Sequence, residues 1–325
     1  MRTAPPQSEP AESYDELVLA ATIARRFYLE NASKVEIAHE MGLSRFKVAR
    51  MLEMAVARGL VRIDITFPTD IDTELSRALT RRYGLKHAIV VNPHREDPGG
   101  PEPFTQLLAP PAARLLTDLL HEDGVLGLAW GRAVTAVSKA FTRLPPCSVV
   151  QLTGVHPPNV ITDESVKAVS LAASLAGGTA YPVYAPLVLP NALTAAVLRS
   201  QPTIAAALTR FDALTTAVLA IGAWEPGLSA VHDALSAPDR RRHAAMGVVA
   251  EMSSLLFDAD GVLVRTDLAE RVIAVDADQL RRTPDIIAVA GGREKAPAIR
   301  AVLKSGLLTG IVTDAATARA ALTDP

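Results

Sequence analysis

Residues 24–65, ARRFYLENASKVEIAHEMGLSRFKVARMLEMAVARGLVRIDI, read as helices punctuated by two cap signals and closed by a strand. The helical pattern begins upstream at Tyr14, where Leu17, Ala20, Ala21, Ala24, Phe27 and Tyr28 recur three and four apart and make one apolar face. Asn31 ends that helix. Ser33 is a suitable N-cap for a short second helix through Met41, with Val35, Ile37 and Ala38 available for packing. Gly42 permits a tight turn, Ser44 caps a third helix reaching about Arg58, and Gly59 closes it. Leu60 to Thr66 then alternates with a period of two, a strand or wing that Pro68 stops. Helix, short helix, glycine turn and third helix is the order of a helix-turn-helix.

Plotted at 100° per residue, Val48, Ala49, Leu52, Ala55 and Val56 share an arc of the third helix suited to packing. Phe46, Lys47, Arg50 and Met54 fall on the opposite arc, where a major groove would lie. Five basic residues (Arg45, Lys47, Arg50, Arg58, Arg62) against one acid (Glu53) give +4 between Ser44 and Arg62, on a chain whose net charge is −2. Double-stranded DNA is therefore the expected partner of this segment and of no other, because phosphate contact needs a local cationic excess. Arg50 and Lys47 are the candidates for base edges, and Phe46 for a thymine methyl. Ser44 and Ser33, at helix starts, are placed for phosphate. Arg45 lies at the angle of the packing arc and is expected to run outward from the first turn to phosphate. The competing reading is a solvated charged face on a three-helix interaction module.

The chain has 325 residues, 49% hydrophobic and 21% charged, enough for a large core and too much for a single small domain. Aromatics are 4%, which favours a helix-rich α/β fold over an aromatic-dense sandwich. No apolar run approaches eighteen residues and the first residues lack an apolar signal core, so a cytoplasmic protein with no membrane partner is expected. Cys147 is the single cysteine, which excludes an internal disulfide and any multi-cysteine metal site, and it reads as a small buried apolar residue.

Beyond a helical bridge, short apolar runs alternate with helical segments. Candidate strands are His87–Val91, Val125–Ala129, Val149–Thr153, Ala180–Tyr184, Leu214–Ile221, Val272–Val275, Ile286–Ala290 and Gly310–Thr313. Several end in Gly or Asp before a helix, the signature of a doubly wound, mostly parallel sheet. The expected organisation is a disordered tail over 1–13, a winged helix-turn-helix domain over 14–67, a helical linker over 68–83 and an effector domain over 84–325. Pro93–Pro103 reads as a surface loop.

Ligands of doubly wound folds bind at the strand ends. Trp130-Gly131-Arg132 follows one strand, and its amides and guanidinium could hold an anion or a hydroxyl-rich ligand. Gly291-Gly292-Arg293-Glu294-Lys295 follows another and opens a helix, with Lys295 adding a positive charge. Gln151, at a strand end, could bond sugar hydroxyls or act as a cap. Trp224 could line a pocket mouth or merely pack. The chemistries that fail are plain: His39-Glu40 lacks the second histidine of a zinc helix because position 43 is Leu, and there is no Walker A spacing or nucleophile elbow. No cofactor or metal is expected.

The stretch 24–65 resembles the N-terminal domain of the SorC family of sugar-responsive transcriptional regulators. Five further blocks resemble its effector domain in order: GVLGLAWGRAV (124–134), VVQLTG (149–154), the strand from Asp212 to Ile221-Gly222, LLFDADGVLV (255–264) and AVAGGREKAPAIRAVLKSGLLTGIVTDAATA (288–318). That domain is similar to sugar-phosphate isomerases and deaminases. The resemblance implies a homodimeric or homotetrameric, non-enzymatic regulator on a roughly palindromic operator, controlled by a sugar, polyol or sugar phosphate. It adds Gly154, Gly222 and Asp258 to the effector candidates, although Asp258-Ala259-Asp260-Gly261 by itself reads as a turn. Two departures, Ala133 where members carry Thr and Thr153-Gly154 where Asn-Gly is usual, make an unphosphorylated ligand plausible. The alternative is an isomerase-like or deaminase-like enzyme with an appended helical module.

Overall fold

A computed structural model describes residues 14–61, 71–92, 104–155 and 164–323, and the chain divides into two compact units, Met1–Pro68 and Thr69–Pro325. The tail over 1–13, the loop Pro93–Pro103 and all of the expected wing beyond Val61 lie outside the described residues.

The first unit holds α1 (Tyr14–Tyr28), α2 (Lys34–Glu40) and α3 (Arg45–Ala57). Its caps follow the chemistry of the sequence. Ser33 forms a reciprocal capping box with Glu36, and Ser44 Oγ accepts from Lys47 N at 3.2 Å. Asn31 takes the left-handed backbone (φ 55°) that separates α1 from α2. The core is Ala20, Ile23, Ala24, Ile37, Ala38, Val48, Met51, Leu52 and Ala55. The packing face of α3 is thus turned toward Met51 from the expected arc: Val56 is exposed and Ala49 only half-buried. On α1, Ile23 is buried while Ala21 and Tyr28 face solvent.

The second unit runs α4 (Thr73–Tyr83), β1 (His87–Val91), α5 (Phe104–Leu119), β2 (Gly124–Leu128), α6 (Arg132–Ala140), β3 (Cys147–Gln151), α7 (Glu164–Ala176) and β4 (Ala180–Tyr181). It continues through α8 (Ala192–Arg199), α9 (Pro202–Leu208), β5 (Thr216–Leu219), β6 (Gly222–Ala223), α10 (Ala230–Ala234), α11 (Ala237–Ala245), β7 (Ala250–Met252) and β8 (Leu255–Phe257). It closes with α12 (Leu268–Arg271), α13 (Ala277–Arg282), β9 (Asp285–Val289), α14 (Ala296–Lys304), β10 (Gly310–Asp314) and α15 (Ala315–Leu322).

Among the described residues, seven strands form one parallel sheet in the order β1-β10-β9-β5-β2-β3-β4. Apolar clusters lie against it, and Leu126, Val149, Val218, Ile287 and Val312 are fully buried in one of them. From β2 the chain winds outward through β3 and β4, whereas β5, β9 and β10 build in the other direction. The sequence order reverses between β2 and β5, which places the ligand crevice of such a sheet at their C-terminal ends.

Four expectations are corrected by the fold. The segment taken for a helical linker contains α4, which is integral to the larger unit: Leu79 is fully buried in its core, Asp72 N donates to Val90 O at 2.8 Å, and Tyr83 donates to Ala321 O at 2.6 Å. Val272–Val275 makes only isolated bridges to Thr153 and Val188, because it is clamped between two loops and has no sheet edge to pair with. Two expected strands are shorter: Leu214–Ile221 is a strand only over Thr216–Leu219, and Ala180–Tyr184 only over Ala180–Tyr181. In addition, β6, β7 and β8 form a small antiparallel sheet that the sequence pattern does not reveal.

Candidate functional site

In the first unit, the face of α3 away from the core carries Arg45, Phe46, Lys47 and Arg50, all exposed, with Phe46 at 86%. Arg45 leaves the packing arc at the first turn, as expected. Ser33 and Ser44 use their oxygens as acceptors inside their own caps; each hydroxyl keeps its proton to donate outward.

In the second unit, a cavity of about 470 Å³ opens at the ends of β2, β5 and β9. Trp130, Gly131 and Arg132 reach it after β2, Gly222 after β5, and Gly291 and Lys295 after β9. Six of the ten effector candidates therefore converge from three sequence-distant turns. Gly131 is at φ 152°, and a Cβ on it would lie 2.8 Å from Ala220 Cβ, so the β2 turn needs glycine to pass the β5 turn. Gly131 is the N-cap of α6 and supplies no side-chain cap, so amide groups remain at that helix start. At the start of α14, Ala296 N already donates to Arg293 O and Pro297 has no N–H, so there Lys295 contributes through its side chain.

The other four candidates have different work. Gln151 is fully buried and its amide is consumed by the fold: Nε2 donates to Thr153 O (2.7 Å) and Ser165 Oγ (3.1 Å), and Oε1 accepts from Val183 N (3.1 Å). Gly154 lets its strand end pass the backbone of Ala185–Leu187, which a Cβ would approach to 2.5 Å. Asp258 Oδ1 accepts from Asp260 N and Val262 N, both at 2.9 Å, and shapes a turn away from the cavity. Gly292 N donates to the buried Asp314 carboxylate at 3.0 Å and so anchors the glycine turn rather than lining the cavity. Trp224 packs: it is 8% exposed, edge-on to His232, and donates from Nε1 to Arg240 O.

The cavity also contains groups that no sequence motif marked. Glu251 is buried on β7, where Oε2 accepts from Ser254 N at 3.3 Å. Burial pushes its carboxyl up to about 7, against the opposing pull of the Ser254 amide, the Ser229 hydroxyl and the Lys295 charge. Burial also lowers the Lys295 ammonium, helped by the nearby Arg132 charge, and Lys295 Nζ donates to Ile221 O at 3.3 Å. Both partners move toward neutrality, so desolvation outweighs their mutual attraction. Ser253, Ser254 and Asp233 line the same space, as does Thr153, whose Oγ1 accepts from Trp130 N at 3.2 Å. Among the described residues, no group of three or more His, Cys, Asp or Glu could hold a metal.

A helix-turn-helix unit and a parallel α/β unit with a polar cavity at its strand ends, carried on one chain, define a ligand-responsive DNA-binding protein. The comparisons agree. Residues 68–323 match the family described as "Putative sugar-binding domain". The transcriptional regulator LsrR of Klebsiella pneumoniae is 28% identical over 94% of this chain and 92% of its own. The sorbitol operon regulator of Klebsiella pneumoniae is 24% identical over 94% of this chain and 98% of its own. The crystal structure of full-length SorC from that organism shares the fold, with a TM-score of 0.70 at 23% identity over 95% of this chain and all of its own. This chain belongs to the SorC family of sugar-binding transcriptional regulators; it is a regulator and not an enzyme. No described helix is long and apolar enough to cross a membrane.

Proposed function

We propose that the chain, as a homodimer or homotetramer, holds a roughly palindromic operator through the outer face of α3 and adjusts that grip when a sugar, polyol or sugar phosphate enters the cavity of the second unit. The observation that carries the DNA half is the exposure of Arg45, Phe46, Lys47 and Arg50 on the side of α3 opposite its packed residues. A two-fold dimer presents two such helices to half-sites spaced by whole helical turns. In the cavity, three carboxyl groups (Asp233, Glu251, Glu294) stand against two cations (Arg132, Lys295). That balance suits a hydroxyl-rich ligand better than one dominated by negative charge, and Ala133 at the cavity edge adds no hydroxyl. Control follows from linkage: the effector moves operator affinity only by the difference in its own affinity for the two arrangements of the oligomer.

Arg50→Ala is expected to cost about 1–3 kcal/mol at one base-pair position and to relax specificity there, whereas Arg45→Ala, at the residue placed for phosphate, weakens all duplexes alike and lowers the salt slope by about one. Gel shifts over a set of operator variants selected from a random pool, repeated across a range of salt concentrations, make the distinction. Unchanged affinity and specificity in Arg50→Ala would remove that residue from the readout.

A further inference from the structure

The hairpin between β7 and β8 turns on residues that such a turn does not favour. Ser253 and Ser254 are held at φ 50° and φ 70°, two successive left-handed residues of the kind that a tight hairpin usually takes from Asn-Gly or Gly-Gly. Serine in that region carries backbone strain that glycine escapes. A second cost falls on the same pair. They are 8% and 7% exposed, and neither Oγ has a hydrogen-bond partner among the described residues, although a buried hydroxyl normally finds one. Glycine at both positions would remove strain and unpaired hydroxyls together, without disturbing the Ser254 N bond to Glu251, which is made by the backbone.

Both serines line the effector cavity. A hydroxyl both donates and accepts, so its complement is another hydroxyl, and a serine Oγ reaches a new direction by rotating between staggered wells about one bond. At this end the Glu251 carboxyl faces the Lys295 ammonium, so the two offset each other and the serines add hydroxyls rather than charge. We propose that Ser253 and Ser254 form a subsite for the uncharged vicinal hydroxyls of the effector, whose oxygens supply the partners these side chains lack within the protein. The proposal rests on the effector reading of the cavity. The same hydroxyls could come from a free polyol or from the carbon chain of a sugar phosphate.

The test uses the full chain, with thermal shift and calorimetry against sorbitol, xylitol, ribose and ribose 5-phosphate. Ser253→Ala and Ser254→Ala should each weaken the compound that stabilises the wild type most by about three- to tenfold. The double variant S253G/S254G should melt above the wild type without added sugar, yet bind at least tenfold more weakly, and equally so for ribose and its 5-phosphate. A double variant that binds as the wild type does would overturn the subsite and leave the effector reading standing. A loss confined to ribose 5-phosphate would overturn it too, since the serines would then read the phosphate. If no compound shifts the wild type, the effector reading falls and the subsite falls with it.

Discussion

Gln151→Leu is expected to destabilise the larger unit by about 3 kcal/mol while leaving the outline of the cavity intact. The side chain is fully buried, and three bonds converge on its amide. Leucine fills a similar volume, so little of the loss would come from a void. What it leaves behind is the Val183 amide and the Thr153 carbonyl, both deprived of the side-chain partner they use. An unsatisfied buried polar group costs about 1–3 kcal/mol, and two are created. These bonds tie the end of β3 to the segment after β4 and to the start of α7, adding to the parallel backbone bridge between Val155 and Pro186. Urea unfolding followed by far-ultraviolet dichroism reads the effect as a lower midpoint. A variant as stable as the wild type, with sugar binding lost, would return Gln151 to the ligand.

That reassignment illustrates what the sequence made legible. A glutamine at the end of an apolar strand has the same appearance whether its amide points into a crevice or into the fold; the outcome depends on Ser165 and Val183, fourteen and thirty-two residues away. The turns at Trp130-Gly131-Arg132 and Gly291-Gly292 were readable because a parallel sheet gathers its strand ends at one edge, so a local strand-to-helix signal already specifies a place in the fold. The helix-turn-helix was readable for a related reason. Its caps at Ser33 and Ser44 and its left-handed residue at Asn31 are local devices that form as the residue types dictate.

Glu251, Ser253 and Ser254 were hidden because β7 and β8 are three residues each, too short to show an alternation. A Ser-Ser pair is a weak turn signal, and in the neighbouring LLFDADG the acidic Asp258 is the more conspicuous residue. The linker reading of α4 failed in a similar way. The polar surface of TELSRALTRRY is evident, whereas the burial of Leu79 depends on β1 and α15, which lie farther along the chain.

Replacing the buried Glu251 should change how the fold responds to pH more than any substitution on the surface. Its carboxyl titrates at about 7 in the folded chain, against the ordinary 4.5 of a solvated glutamate. Below 4.5 both states bind the proton and the group's full contribution is present. As pH rises, the unfolded chain releases its proton first while the folded chain keeps it, so stability declines through the interval from 4.5 to about 7 and is level above it. The loss across that interval is about 3 kcal/mol, taken as 1.36 kcal/mol per pKa unit. Glu251→Gln keeps the shape and an oxygen acceptor for the Ser254 amide but has no proton to lose, so its profile should lack this slope. Subtracting the variant's unfolding free energies from the wild type's, across pH 4 to 8, isolates the group from every other carboxylate and histidine; two profiles that superimpose would refute the assignment. The same proton bears on the cavity. Below 7 a neutral Glu251 can donate to a ligand oxygen, and above 7 it can only accept while facing the Lys295 ammonium. Sugar affinity in the wild type is therefore expected to bend near pH 7, and the glutamine variant should bind without that bend.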